Sequence, residues 1–288
     1  MIEPINVTTT NVSEELSRIA EESGVSTSKL YVEIKSTTTF TKDNSTDFKE
    51  ISINDLDKYT DEDVLRNETV EFQQEYDILV KSKSEDYPFS GMFCDILLEE
   101  KNTLGYLVIK RGSRLHYSTE LYKDFSNYIA EKMIKSNIML YLFDTDYKDS
   151  IKEFVNLIEK IKVLTFKEDK KILVSKGLRE VKAIEADMSM TIEENNDNNP
   201  EESEERIDYA DRDFLLNCKV GEQLFEFIKP QQGKYGRTCT GEIIDVETIS
   251  LDAKPTFTVD DNIEIQDSFE NIKYLATISG YVVKTDRK

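Results

Sequence analysis

The spacing of hydrophobic and polar positions changes period several times along the chain, and each change marks an element. Ile5-Asn6-Val7 reads as a short strand. Val12, Leu16, Ile19 and Ala20 then fall on one face of a helix. Asn11 stands before them with Glu14 three residues on, the spacing of a capping box, and Gly24 offers the left-handed residue that ends a helix. Tyr31 to Phe40 reads as a strand, residues 41–60 as a polar loop. Asp61 to Val80 carries Val64, Leu65, Val70, Phe72, Tyr76, Ile78 and Leu79 in a spacing that fits either period. Met92 to Leu98 and Leu104 to Lys110 form a hairpin pattern with Lys101-Asn102 at the turn. Ser118 precedes Leu121, Phe125, Ile129 and Met133, spaced four apart, and is expected to cap that helix. Ile138 to Phe143 is a continuous apolar run of the length of a buried strand. Asp144 or Asp146 then opens a helix with Ile151, Phe154, Val155, Ile158 and Ile161 on one face, and Lys171 to Val174 is another strand. Further on, Leu224 to Ile228, Ile263 to Ile265 and Tyr274 to Ile278 alternate with period two between Gly, Pro and Asn-Asp turn signals.

These elements divide the chain. Thr191 to Glu205 holds seven carboxylates and no Lys or Arg, too little apolar surface to repay ordering, and reads as an acidic flexible linker over 191–205. The expectation is an α+β multidomain chain: a small βαββ-like unit at 1–84, an α/β domain at 85–190 with helices on one side of its sheet, and a small β-barrel or sandwich at 206–288. No internal repeat is visible.

The net charge of −21 repels phosphate backbones and anionic lipid surfaces, which argues against nucleic-acid and peripheral membrane binding. It serves solubility or attraction to a basic partner surface. No stretch approaches 18 apolar residues, so no membrane span is expected. Met1-Ile2-Glu3-Pro4 lacks the basic start of a signal peptide. Cys94, Cys218 and Cys239 have no framework or metal spacing; reduced thiols in the cytoplasm are the simplest reading.

His116 is the sole histidine, so multi-histidine metal sites are excluded, and a Ser-His-Asp or Cys-His site would have to use His116, which is expected to be structural. Gly233-Lys234-Tyr235-Gly236-Arg237 invites comparison with a phosphate loop, but Tyr235 stands where Ser or Thr is needed and strands flank the turn. One reading is a glycine-shaped β connection in which Arg237 pins a carboxylate; the other is an exposed Lys234/Arg237 pair that meets an anion. Arg206, Asp208, Tyr209 and Arg212 read either as a salt-bridged docking segment or as an interface. Arg237 beside Cys239 could lower its thiol pKa, or Cys239 is an ordinary small buried residue. Asp144 and Asp146 resemble a metal pair, yet acidic residues at a helix start are usually caps. No catalytic residue, metal or cofactor is expected, and no motif selects a carboxylate pair for hydrolysis.

The sequence Val220-Gly221-x-x-Leu224, then Pro230, then Gly233-Lys234-x-Gly236-Arg237-x-Cys239-x-Gly241-Glu242, closing on Ala276-x-x-x-Gly280-Tyr281-Val282, resembles the N-terminal region of the flagellar assembly protein A family, in versions of the Campylobacter type. The resemblance covers about the last 80 residues, one small domain in length, and more thinly residues 85–190. The first residues are similar to the small front domain of Jag-type proteins. The family resemblance implies a β region that leads into a long β-solenoid, so that this chain is expected to be the front part of a longer protein. It further implies a non-enzymatic cytoplasmic scaffold or adaptor in flagellar assembly or placement, with protein partners and possible homo-oligomerisation. The interaction or structural motif would comprise Arg206, Asp208, Tyr209, Gly221, Gly233, Lys234, Gly236, Arg237, Gly241, Gly280 and Tyr281. The alternative is a regulatory module that takes a nucleotide or other anion at the Gly-rich turn.

Overall fold

The computed structural model describes residues 2–44, 47–52, 54–84, 87–145, 147–191 and 216–282. In chain order the elements are β1 (Ile5–Thr9), α1 (Val12–Ser23), β2 (Leu30–Asp43), β3 (Lys49–Ile51), α2 (Leu56–Tyr59), α3 (Glu62–Leu65), β4 (Val70–Ser82), β5 (Cys94–Glu99), β6 (Leu104–Ile109), β7 (Arg114–His116), α4 (Leu121–Lys135), α5 (Tyr147–Ile161), β8 (Val163–Thr165), β9 (Lys170–Lys176), β10 (Asp187–Met190), β11 (Leu216–Cys218), β12 (Gln223–Ile228), β13 (Gly236–Arg237), β14 (Ile243–Ile244), β15 (Ile263–Asp267), β16 (Asn271–Ala276) and β17 (Gly280–Val282). They form two compact units. The first is Met1–Val181 together with Tyr235–Asp245; the second is Lys182–Lys234 with Val246–Lys288.

In the first unit, β1-β4-β2-β3 make an antiparallel sheet, β5-β6-β9 a second, and β7-β8 a short pair. Local signals shape several elements. Asn11 accepts a bond from the Glu14 N–H at 3.1 Å and so caps α1, and Gly24 closes it at φ 69°. Glu100, Lys101 and Asn102 all take positive φ in the β5–β6 turn.

A large core joins α1, β4, β6, α4 and α5, and a second, smaller one gathers Ile51, Leu56, Leu65, Val70, Phe72, Leu142 and Phe143. In the large core, Val12, Leu16 and Ile19 of α1 meet Ile78 and Val80 of β4, Leu107 and Ile109 of β6, Phe125, Ile129 and Met133 of α4, and Ile151 and Ile158 of α5. Glu131 of α4, itself 3% exposed, accepts from the Val32 N–H of β2 at 3.2 Å and from Lys135 Nζ at 2.5 Å. Residue 84 is therefore not a boundary, because the elements on either side bury their apolar faces against each other. Residues 41–60 contain β3 and α2 in place of a plain loop, and the ambiguous 61–80 stretch divides into α3 and then β4. Ser118 does not cap α4: it gives its backbone carbonyl to the Leu121 N–H, and Glu120 holds the cap position without a side-chain bond.

The clearest departure is Ile138–Phe143. Ile138, Leu140, Leu142 and Phe143 are buried but form no strand, since Asn137 and Tyr141 take left-handed φ of 56° and 69°. Buried backbone needs partners, and side chains supply them. The Gln74 amide accepts from Leu140 N–H at 2.9 Å and donates to Leu140 O at 2.8 Å. Asp144 takes the Tyr141 N–H at 3.1 Å. Gln74 also donates to Thr39 Oγ1 and accepts from the Tyr76 hydroxyl.

In the second unit the antiparallel order is β10-β12-β16-β15, with β11-β17 as a separate pair. Cys218, Leu224 and Ala276 form a small core with Phe225, Ile263 and Val282 against it. No closed barrel forms among the described residues: the four-stranded sheet ends in free edges at β10 and β15. The residues of the 191–205 linker lie outside the described residues except Thr191.

Candidate functional site

The glycine-rich stretch singled out in the sequence is divided at Lys234/Tyr235. Gly233 and Lys234 belong to the second unit, and Tyr235–Asp245 belongs to the first. Within the first unit this segment is a tight hairpin, β13 against β14 in the register Gly236↔Ile244 and Arg237↔Ile243. Arg237 and Leu178 exchange backbone bonds at 2.7 and 2.8 Å. The Cys239 N–H donates to Asn102 O at 2.8 Å, and Cys239 O accepts from the Met139 N–H at 3.1 Å. Arg66 donates to Tyr235 O at 2.7 Å.

Such close backbone contact explains the glycines. A Cβ on Gly236 would lie 2.6 Å from the Glu180 N and 2.7 Å from the Leu178 O, a backbone collision that no side chain can relieve. Gly177 meets the same limit from the other side, where its Cβ would overlap Arg237 O. Gly241 is required for its φ of 88°.

Arg237 is 1% exposed. Its Nε donates to Leu65 O at 2.6 Å, Nη1 to Gly241 O at 2.8 Å, and Nη2 to Asn67 O and Val70 O, each at 2.9 Å. The guanidinium carbon lies 5.1 Å from the centre of the Phe72 ring, a cation–π distance. Burial pushes its pKa down to about 10. It therefore remains a cation at neutral pH, and the four carbonyl dipoles favour that form. Two expectations are corrected here. Arg237 pins no carboxylate; its acceptors are four backbone carbonyls. Nor does it form an exposed pair with Lys234: four of the five N–H donors of a guanidinium are already taken, and only Lys234 is exposed.

The remaining candidates are distributed as follows. Gly221 has φ 79° in the turn that joins β11 to β12, with its N–H on Ala276 O at 2.8 Å. Gly280 and Tyr281 lie in β17, paired with Cys218 and Asn217, and Tyr281 is 62% exposed. Arg206, Asp208, Tyr209, Arg212 and Asp146 lie outside the described residues. His116 is an exposed residue of β7 opposite Val163. Cys239 is fully buried with its thiol on Thr103 O at 3.3 Å, and burial raises its pKa. That is the opposite of activation by Arg237. Burial likewise lifts Cys94 to about 11. Asp144 serves the Tyr141 N–H, and burial raises its pKa. Among the described residues no group of three or more His, Cys, Asp or Glu could hold a metal ion, and no helix is long and apolar enough to cross a membrane.

An open depression of about 410 Å³ in the first unit is lined by Ser150, Glu153, Phe154 and Lys170 beside α5 and β9. Its second lysine, Lys171, is ion-paired with Glu99 at 2.6 Å. Sequence reading missed the role of Leu65, Asn67 and Val70 as acceptors for Arg237. Backbone carbonyls carry no residue signature, and only the neighbouring glycines hinted at close packing.

The class these features define is a mixed α/β protein of two units, in which a glycine-rich motif serves as an internal fastening. The family model described as Flagellar Assembly Protein A N-terminal region matches residues 115–287. That is more than half of the chain, and the chain belongs to this family. The matched region begins within β7 and takes in α4, α5 and the second unit, so it reaches further forward than the last 80 residues or so that carried the resemblance. No curated protein and no solved structure matches the chain.

Proposed function

We propose that the chain is a non-enzymatic scaffold or adaptor that works by protein–protein contacts in the assembly or placement of flagella. Family membership supplies the flagellar setting. The observation that carries the scaffold reading is the fate of Arg237. The most chemistry-like motif in the chain spends its cation on Leu65, Gly241, Asn67 and Val70 carbonyls, and its thiol is buried. The same burial weighs against the alternative of an anion-binding regulatory module at that turn. The free, buried state of Cys94, Cys218 and Cys239 suits a reducing cytoplasm. Partners are proteins, and the charge of −21 favours basic surfaces over nucleic acid.

The test is deletion of the segment encoding residues 1–205 in the flagellated host, with flagellar number and position scored by electron microscopy. Altered number or position supports the reading; wild-type flagellation overturns it. A thermal-shift panel of nucleotides addresses the alternative. A ligand at 100 times its dissociation constant adds about 2.7 kcal/mol, so a flat panel removes it.

A further inference from the structure

The outer edge of the second unit's sheet has an unusual composition. Among the described residues β15 pairs with β16 on one side and with nothing on the other. Its backbone polarity follows from the ladder. At one end the Thr277 N–H donates to Asn262 O, and at the other the Ser268 N–H donates to Asn271 O, both at 2.9 Å. Antiparallel bonding alternates along a strand, so residues 262, 264, 266 and 268 bond inward. Ile263, Ile265 and Asp267 direct their N–H and C=O away from β16. The Ile263 N–H is taken by Asp260 O at 3.2 Å, which leaves Ile265 and Asp267 as the open rungs.

The side chains on this edge are as specific as the backbone. Cross-strand register places Met190, Phe225, Tyr274 and Ile265 in one row across all four strands. The row is buried at Tyr274 but open at Ile265, which is 53% exposed, and Phe269 just beyond the strand is 87% exposed. On the opposite face, Glu264 and Gln266 of β15 are exposed. Asp260, Asp261, Glu264, Asp267 and Glu270 lie in or next to β15 along the chain, and residues 255–272 contain no Lys or Arg; Lys273 of β16 stands opposite Gln266. Only Asp267 has a cationic partner among the described residues, Lys229 at 2.5 Å. Edge strands are commonly protected by lysines or prolines; this one carries neither.

We infer that β15 is a strand-addition site for an extended segment of a partner protein in which apolar residues alternate with Lys or Arg. Apolar residues of the added strand would face Ile263 and Ile265 and extend the row that ends there. The intervening basic residues would meet Glu264 and the neighbouring carboxylates. A second copy of β15 does not suit the edge, because it would set one line of carboxylates against another. The inference deepens the scaffold reading and rests on it only for its cellular setting.

The full chain is titrated into a fluorescein-labelled octapeptide, Val-Lys repeated four times, at physiological salt, and anisotropy is read. Controls are Val-Glu repeated four times and a block peptide of four Val then four Lys. Hydrogen exchange reports on the Ile265 and Asp267 amides. Preferential binding of the alternating basic peptide, with protection of those two amides, is expected. Ile265→Pro removes an outward N–H and leaves the β16 ladder intact; it should weaken binding about tenfold or more, about 1.4 kcal/mol. Glu264→Lys is a milder change for the fold and should shift preference toward the Val-Glu peptide. Absence of binding, equal binding of the block peptide, or indifference to both variants overturns the inference. So does a dimer in sedimentation that Ile265→Pro abolishes, since the occupant would then be a second copy. Each of these leaves the flagellation test to decide the scaffold reading separately.

Discussion

Replacing Arg237 with Met keeps an unbranched side chain beside Phe72 and deletes every donor. Four bonds from a charged donor are lost, each worth about 1.5–3 kcal/mol, hence at least about 6 kcal/mol in gross terms. Against this stands the cost of holding the cation out of water. The fall from 12.5 to about 10 corresponds to about 3 kcal/mol at about 1.4 kcal/mol per unit. The orphaned carbonyls push the same way as the lost bonds. Leu65 and Val70 are each 5% exposed, so their carbonyls have little access to water, whereas Asn67 is exposed and can be rehydrated. A net loss of about 3–5 kcal/mol follows, from the lost bonds and from buried carbonyls left without a donor at about 1–3 kcal/mol each. Arg237→Lys separates charge from geometry. An ammonium is a compact point with three donors and cannot span four carbonyls, so it should recover less than half of that loss. The chain has no Trp and 14 Tyr, so urea unfolding followed by tyrosine fluorescence and far-UV circular dichroism reports on it. Hydrogen exchange of peptides covering 235–245 assigns the loss to this hairpin. If Lys and Met variants both unfold within about 0.5 kcal/mol of the native chain, the range of an ordinary surface substitution, the reasoning is wrong.

Gly236→Ala places a methyl against the Glu180 and Leu178 backbone and should cost about 1–3 kcal/mol or more. Gly221→Ala meets open space but a φ of 79° and should cost about 1–2 kcal/mol; equal exchange rates at 235–245 in native and Gly236→Ala chains would refute the first. Gln74→Leu strands the Leu140 N–H and carbonyl in a dry core, at about 1–3 kcal/mol per orphaned group, and should lower the melting temperature clearly; an unchanged midpoint would show that water replaces the amide. Asp144 has a folded pKa raised above its unfolded value of 3.8 by burial, so the folded state binds more protons in the window above 3.8 and loses stability as pH rises through it. Asp144→Asn keeps an oxygen for the Tyr141 N–H and removes that loss, so its stability relative to the native chain should improve between pH 4 and pH 7; a pH-independent gap would refute the assignment.

The parts of the fold that were legible in the sequence are those whose partners are close by. Asn11 and Gly24 bracket α1 because a cap needs only its own first and last turns. The β5–β6 turn is visible because three consecutive left-handed residues need only each other. Ile138–Phe143 was misread because apolar content alone does not separate a buried strand from buried irregular chain. What decides it is Gln74, whose amide replaces the ladder and which stands 66 residues away. The expected boundary at 84 failed for a related reason: α1 and α4 each have one apolar face, and no periodicity tells that the two faces meet in one core.

Arg237 takes the same limit a step further. Its acceptors at Leu65, Asn67 and Val70 lie 172, 170 and 167 residues upstream, and any residue type there would present the same carbonyl. The glycines at 236 and 241 advertised close packing, and sequence alone could not say whether the tight space held a ligand or the chain itself. Once the cation is spent internally, the groups that the inferred strand-addition site would offer a partner are again backbone: the outward rungs of β15 at Ile265 and Asp267. On the proposed scaffold reading, the recognition groups then have the same invisibility as the fastening. Only the alternation of Ile263 and Ile265 with Glu264 and Gln266 hints at what the edge selects, which is why a peptide of matched alternation probes it more sharply than any single side-chain deletion.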